Sequence, residues 1–429
     1  MRLGGRLAAA IDVLTDMETR HRPAAEALKD WGLSHRFAGA GDRAAIGNIV
    51  YDALRRKRSA GWLAGSDTPR GIALGALVLE QGMSVADIVS AVEGDRFAPQ
   101  PPTAEEIEAL TTRRLEDAPP LVQADCPDWC EPLLRETFGE AWINEAAGLA
   151  ARPPLDMRVN TLKSDDARVA AELHQTGAAA TEIALHGLRI APIEGAGRHP
   201  NVQVEPAFQK GWFEVQDEGS QMAASLAMAT PGMQVLDYCA GAGGKTLALA
   251  AAMENKGQIF AHDSDKARLA PIFDRLKRAG VRNAQVVAGE ANLSGLEGQM
   301  DLVLIDAPCT GSGTWRRRPD AKWRLTDRQL ETRTNEQSEI LEKASRFAKP
   351  GGRVVYVTCS VFDAENGAQI DDFLARNPAF EPVDHEAHFD AVFPGHAGRA
   401  RIRKDRGVVL SPRLTSTDGF FVALLKKTS

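Results

Sequence analysis

Apolar residues recur at helical spacing along the first hundred positions: Leu3, Leu7, Ile11, Leu14 and Met17, then Ile46, Ile49, Val50 and Leu54. Residues three and four apart share one face of a helix, so the pattern predicts an all-helical region. From Phe97 the chain turns Pro-rich and acidic, through Pro99, Pro101, Pro102 and Glu105, with another pair at Pro119 and Pro120. Such stretches join packed units, and a boundary is placed there. A helical stretch over 129–151 is followed by strand-like runs at 155–162, 187–192 and 212–215, the make-up of a small α/β module. From about residue 226 short β-branched runs at 235–238, 258–261, 284–287, 302–305 and 354–357 alternate with amphipathic stretches such as 247–253 and 266–279. Strands that read as continuous apolar runs are buried on both faces, and their alternation with helices predicts a doubly wound parallel sheet. Three domains are therefore expected: 1–118 helical, 119–225 a small α/β module, and 226–429 a Rossmann-like α/β domain.

Composition changes this picture little but excludes several classes. A chain of 429 residues with 44% hydrophobic content can bury more than one core. No apolar run is long enough to span a bilayer. The first residues lack a signal peptide's apolar block, and Asp12, Asp16 and Glu18 argue against a transit peptide, so a cytoplasmic protein is expected. Five cysteines, an odd number, suit free thiols in a reducing compartment. Cys126 and Cys130 stand apart from any second pair or histidine cluster and read as structural, with no metal implied. The net charge of -7 gives no bulk attraction to nucleic acid, so any such contact must come from local basic patches. Three are present: Arg55 to Arg58, Arg316 to Arg318 with Lys322, Trp323 and Arg324, and Arg399 to Lys404. Each reads either as a solvated, dipole-completing cluster or as a phosphate contact.

The candidate chemistry lies at strand ends. The run DLVLIDAPCTGSG at 301–313 carries Asp306 and Cys309 to the carboxyl end of a buried strand, where open α/β sheets bind ligands. The run RVVYVTCS at 353–360 delivers Cys359 in the same way. One buried cysteine is usually an inert small hydrophobe, but two at neighbouring strand ends beside an acid suit a thiolate nucleophile with a second group that permits release. A glycine loop, CAGAGGKT at 239–246, follows the first strand of the sheet and opens a helix, so its N–H groups can hold an anion. A dinucleotide loop would want glycine where Thr246 stands, and a phosphate loop would want glycine in place of Cys239. S-adenosylmethionine is the third candidate, with its carboxylate on the loop and its ribose on Asp263. The thiols favour it, since neither phosphate hydrolysis nor hydride transfer calls for them.

These residues resemble the NOL/NOP/Sun RNA cytosine-5 methyltransferases, and among them those acting on bacterial 16S rRNA. The likeness is carried by RVNTLK at 158–163, FEVQDEGSQ at 213–221, VLDYCAGAGGKT at 235–246, DAPCTGSG at 306–313, TCS at 358–360 and TDGFF at 417–421. It implies a class I methyltransferase domain preceded by an RRM-like module. The motif GDRAAIGNIVYDALRRKR at 41–58 further resembles the NusB-like RNA-binding domain of the bacterial enzymes, although the later part of that domain is abbreviated here. By resemblance Cys359 is the nucleophile toward C6 of cytosine, Cys309 assists loss of the C5 proton and release, and Asp306 and Lys245 contact the base. Cys239, Ala240, Gly241, Ala242, Gly243, Gly244 and Lys245, with Asp263, Glu290 and Asp306, would hold S-adenosylmethionine. Glu290 stands where the family usually has aspartate, and Gly241-Ala242 where it usually has Ala-Pro. The implied partner is RNA, rRNA above all, acted on by a monomer. A tRNA methyltransferase, a P-loop-like NTPase and a non-catalytic RNA-binding assembly factor are the alternatives.

Overall fold

The computed structural model describes residues 1–429. By contact they form two units, one of Met1–Pro153, Pro192–His199 and Trp315–Leu325, the other of Pro154–Ala191, Pro200–Thr314 and Thr326–Ser429. The three-way division by composition is thus a proposal about sequence modules, and the contacts group the chain differently. No helix is long and apolar enough to cross a membrane.

The first unit is helical, running from Leu3–Arg20 through Ala40–Arg55, Pro69–Leu79 and Ala104–Thr112 to Trp142–Ala150. The apolar stripes seen in the sequence meet in its core, where Leu7, Leu14, Ile46, Ile49, Val50, Leu74 and Leu77 are buried. Its helix starts carry the expected chemistry: Thr68 caps the helix that Pro69 opens, and Thr103 with Glu106 forms a reciprocal capping box. The stretch predicted as one helix over 129–151 is two, Cys130–Phe138 and Trp142–Ala150. Gly139, with φ of 59°, adopts a backbone that ends the first. Cys126 and Cys130 are fully buried, and burial pushes the Cys126 thiol up to about 11.

The basic patch just beyond Cys309 is divided: Arg318 and Arg324 are exposed, while Arg316 and Lys322 are turned inward. Residues 315–325 pack into the helical unit, burying Trp315, Arg316 and Lys322. Lys322 Nζ donates to the carbonyls of Arg55 and Asp125 and lies 4.8 Å from the centre of the Trp323 ring, whose own indole N–H donates to Leu54 O at 2.7 Å. Burial pulls this ammonium down to about 8. The first basic cluster is spent in the same neighbourhood. Arg55 pairs with Asp52, Arg56 with Glu80 and Asp125, and Arg58 with Asp128.

The second unit holds two sheets. In the smaller, β1 (Leu155–Val159), β2 (Ala179–Ala180), β3 (Gly187–Ile190) and β4 (Phe213–Val215) pair antiparallel in the order β2-β3-β1-β4. Its buried face gathers Met157, Val159, Leu188, Ile190 and Phe213. The larger sheet contains β5 (Gln234–Asp237), β6 (Gln258–Asp263), β7 (Ala284–Ala288), β8 (Met300–Asp306), β9 (Ala348–Thr358), β10 (Phe380–Pro382), β11 (Arg401–Arg403), β12 (Gly407–Leu410) and β13 (Phe420–Lys427). Its order is β11-β12-β13-β9-β8-β5-β6-β7, with β10 on β13. Strands β5 to β9 run parallel, and β13 joins β9 antiparallel. The five predicted strands are thus present, each within a few residues. The helix expected over 266–279 is instead Lys266–Leu269 and Ile272–Ala279, because Pro271 lacks the N–H that would continue it. In the third basic patch Arg399 pairs with Glu182, Arg403 with Asp363 and Lys404 with Asp384.

Candidate active site

Strand β5 lies between β6 and β8, so the chain leaves it in opposite directions and a crevice opens at its carboxyl end. Tyr238 to Lys245 fill this switch point. The turn is pinned from several sides: Ala240 N–H donates to His262 O at 2.7 Å, Gly243 N–H to Ala240 O at 2.8 Å, and the Arg275 guanidinium to Ala242 O at 2.8 Å. Gly241 and Gly243 take φ of 49° and 82°, the left-handed region that side chains disfavour. The turn then becomes the helix Gly244–Ala252, whose first N–H groups face the crevice end of the sheet.

Asp263, at the end of β6, lies at this turn. Its Oδ2 accepts the Gly241 N–H at 2.9 Å and its Oδ1 the Asp265 N–H at 2.8 Å, leaving each oxygen a further lone pair. A Cβ at Gly241 would lie 3.8 Å from Asp263 Oδ2 and 3.4 Å from Arg268 Nη2, so the missing side chain opens the space between turn and acid. Glu290 also comes to the site, where its Oε1 accepts the Tyr238 hydroxyl at 3.2 Å. Cys239 is nearly buried, and burial holds its thiol well above the ordinary range, so it lines the turn as a neutral group.

Sequence reasoning missed Asp237. It ends β5, is fully buried, and is pushed up to about 7 chiefly by that burial. Thr246 Oγ1 donates to its Oδ2 at 2.6 Å, while its Oδ1 has no protein partner. The signal was available: an acid at the last position of the strand that feeds a glycine turn.

The candidate reactive groups stand on the two strands beyond. Asp306 ends β8 and pairs in register with Val357 of β9. Lys245, on the first turn of the helix after the glycines, reaches it with Nζ to Oδ2 at 2.7 Å and lies 5.4 Å from the centre of the Phe420 ring. Cys309 and Cys359, fifty positions apart, bring their sulfurs to 3.3 Å. Cys309 is held well above its ordinary range, first by its hydrogen bond with Cys359 and then by burial. A thiol that keeps its proton can donate it along this contact to a thiolate on its neighbour.

A second missed residue is Glu365, fully buried behind the thiols. Its Oε1 accepts from Thr310 N–H at 2.8 Å and Gln337 Nε2 at 3.0 Å, and its Oε2 from the hydroxyls of Thr310 and Ser360. Thr310 and Ser360 directly follow Cys309 and Cys359. The loops are further locked where Gly313 N–H donates to Cys359 O at 2.9 Å and Gly419 N–H to Gly313 O at 2.8 Å. A Cβ at Gly313 would lie 2.0 Å from Gly419 O, which only glycine avoids.

Residues 224–426 match the model of the 16S rRNA methyltransferase RsmB/F, and residues 126–192 match that of the RsmF/B-like ferredoxin-like domain. The chain is 33% identical over 319 residues to a probable ribosomal RNA small subunit methyltransferase B of Synechocystis sp., covering 71% of this chain and 67% of that one. The chain belongs to the 16S rRNA methyltransferase RsmB/F family. It spans about two thirds of the length of this relative and of a 34% identical ribosomal RNA small subunit methyltransferase B of Klebsiella pneumoniae. The crystal structure of PH0851 superposes with a TM-score of 0.71 at 26% identity, covering 100% of both chains. The larger sheet is accordingly a class I, Rossmann-like methyltransferase fold, and the smaller sheet belongs to a ferredoxin-like module.

S-adenosylmethionine is the cofactor of this RsmB/F chain, and its residues fit it. Asp237 Oδ1, a buried carboxylate oxygen without a donor, suits the ammonium of the amino acid moiety. The N–H groups that open the helix suit its carboxylate, and the free lone pairs of Asp263 suit ribose hydroxyls.

Proposed function

We propose that this protein methylates C5 of a cytosine in RNA, most specifically in small-subunit rRNA, through a covalent adduct between Cys359 and C6 of the base. The observation that carries this reading is the 3.3 Å approach of two thiols at neighbouring strand ends, beside the Lys245–Asp306 pair. Its first unit, NusB-like by sequence, would serve RNA binding.

C5 of cytosine is a weak nucleophile, and adding a thiolate at C6 makes it enamine-like. Cys359 supplies the thiolate. Asp306, 2.7 Å from Lys245 Nζ, takes a proton from that ammonium and passes it to N3 as C6 is attacked, so negative charge does not build up on the ring. Bound S-adenosylmethionine supplies the electrophilic methyl group. The adduct must then lose its C5 proton before Cys359 can depart. Cys309, on the other side of the sulfur contact, is placed to accept that proton once its own thiol proton has passed to solvent. Lys245 holds Asp306 in place and counters its charge.

Two variants separate the thiols. Cys309→Ala is expected to accumulate a covalent enzyme–RNA adduct on denaturing gels, and Cys359→Ala to form none. The reverse pattern would exchange the roles. Bisulfite mapping of total RNA from cells with and without the gene tests the base and the RNA together: loss of no protected cytosine in rRNA would refute the reading.

A further inference from the structure

We propose that Glu365 is a positioning residue that braces the loops after β8 and β9 against each other, so that Cys309 meets the adduct formed by Cys359. The inference rests on the cytosine-methylating reading for its consequence, and on geometry alone for the brace.

Glu365 is an unusual group to find here. It is fully buried, no Lys, Arg or His pairs with it, and four donors converge on its two oxygens instead. A buried carboxylate is costly unless its lone pairs are met, so this arrangement holds its donors firmly. Three of the four donors sit on Thr310 and Ser360, each one bond along the chain from a thiol-bearing residue. The fourth, Gln337, also donates to Pro308 O at 2.9 Å and so grips the residue before Cys309. The Tyr356 hydroxyl donates to the backbone carbonyl of Glu365 at 2.8 Å, fixing the carboxylate's own strand-side anchor. One side chain thus sets the separation of two sulfurs without touching either. Misplacing a reacting group by about 1 Å can cost roughly a hundredfold in rate.

The substitutions divide geometry from charge. In Glu365→Gln the amide oxygen can take the place of Oε1, facing two fixed N–H donors, while its NH2 faces two hydroxyls that can turn to accept. Glu365→Ala removes the acceptor that the four donors share, although Gln337 keeps its bond to Pro308 O and Ser360 Oγ its contact with Ser312 Oγ. The probe for the brace is phenylarsine oxide, which joins two adjacent thiols through one arsenic and releases water. Wild type and Glu365→Gln should form a Cys309–Cys359 bridge at similar rates by peptide mapping. Glu365→Ala should form it at least about tenfold more slowly, and should lose roughly a hundredfold in kcat with the KM values for RNA and S-adenosylmethionine held within about twofold. Should Glu365→Ala fail to fold, Thr310→Val carries the same test with the carboxylate intact, and is expected to slow bridging. Unchanged bridging in the Ala or Val variant, or a Glu365→Gln protein as impaired as Glu365→Ala, overturns the proposal. The bridging assay needs no RNA. A wild type that bridges fast but methylates no cytosine therefore refutes the function and leaves the brace standing.

Discussion

Asp237 shows how much one side chain can make of its burial. Its acid is pushed up to about 7 from the usual 3.8, so between those values the folded protein holds a proton that the unfolded chain releases. The sign follows: the stability this group lends is full below about 4 and is lost as pH rises through about 7. Asp237→Asn keeps the shape and an acceptor for Thr246 but cannot ionise. Without cofactor the variant should therefore gain in melting temperature relative to wild type as pH is raised from 5 to 8. Its affinity for S-adenosylmethionine, read by calorimetry, should fall about ten- to hundredfold, the equivalent of roughly 1.5–3 kcal/mol for a charged hydrogen bond. A difference in melting temperature that does not vary with pH would refute this account. The residues proposed to carry chemistry were legible where a motif isolates them, as with Cys309, Cys359, Asp306, Lys245 and Asp263. Asp237 and Glu365 were not, because what distinguishes them is burial and the donors that surround them, and those come from segments far apart in the chain.

Among the elements, the glycine turn is the most exacting. A Cβ at Gly243 would come within 2.5 Å of Ile272 Cγ1 at a φ of 82°. Gly243→Ala should cost about 1–3 kcal/mol in chemical denaturation and weaken cofactor binding in parallel, because the turn must shift to admit the methyl group. An unchanged midpoint and affinity would count against the strained geometry. The parallel strands were readable because each centres on a short apolar run, largely buried in β5, β6, β8 and β9, while the edge strand β7 leaves Gln285 and Ala288 exposed. Strands β10, β11 and β12 were not: they are three or four residues long, and in β11 the only apolar residue is Ile402 between two arginines, too short a run to show a pattern. They exist through pairing with β13 and with each other, contacts that no local window contains. The break at Pro271 was visible as a residue and overlooked as a consequence, since the flanking residues keep helical spacing across it.

For the whole molecule, the segment at 315–325 is the departure that composition concealed. Its charges, Arg316, Arg317, Arg318, Lys322 and Arg324, read as a surface strip, yet the stretch packs with the N-terminal helices, and burial there is what brings the Lys322 ammonium down to about 8. Tertiary packing overrode polarity because Trp315 and Trp323 lie beside those charges and the carbonyls of Arg55 and Asp125 receive the ammonium. A gene fragment encoding only 154–429 would therefore inherit two segments, 192–199 and 315–325, that pack with helices it no longer has, the second with Trp315, Arg316 and Lys322 buried there. Such a fragment should aggregate or bind a hydrophobic dye in solution, and Trp315→Ser with Trp323→Ser should relieve this. A well-behaved monomer without those changes would show the strip to be self-sufficient. Severing the chain at its apparent seam, before Pro154, thus removes the helices but leaves two of their pieces behind, and any inheritance of the catalytic half alone would have to rewrite both as well.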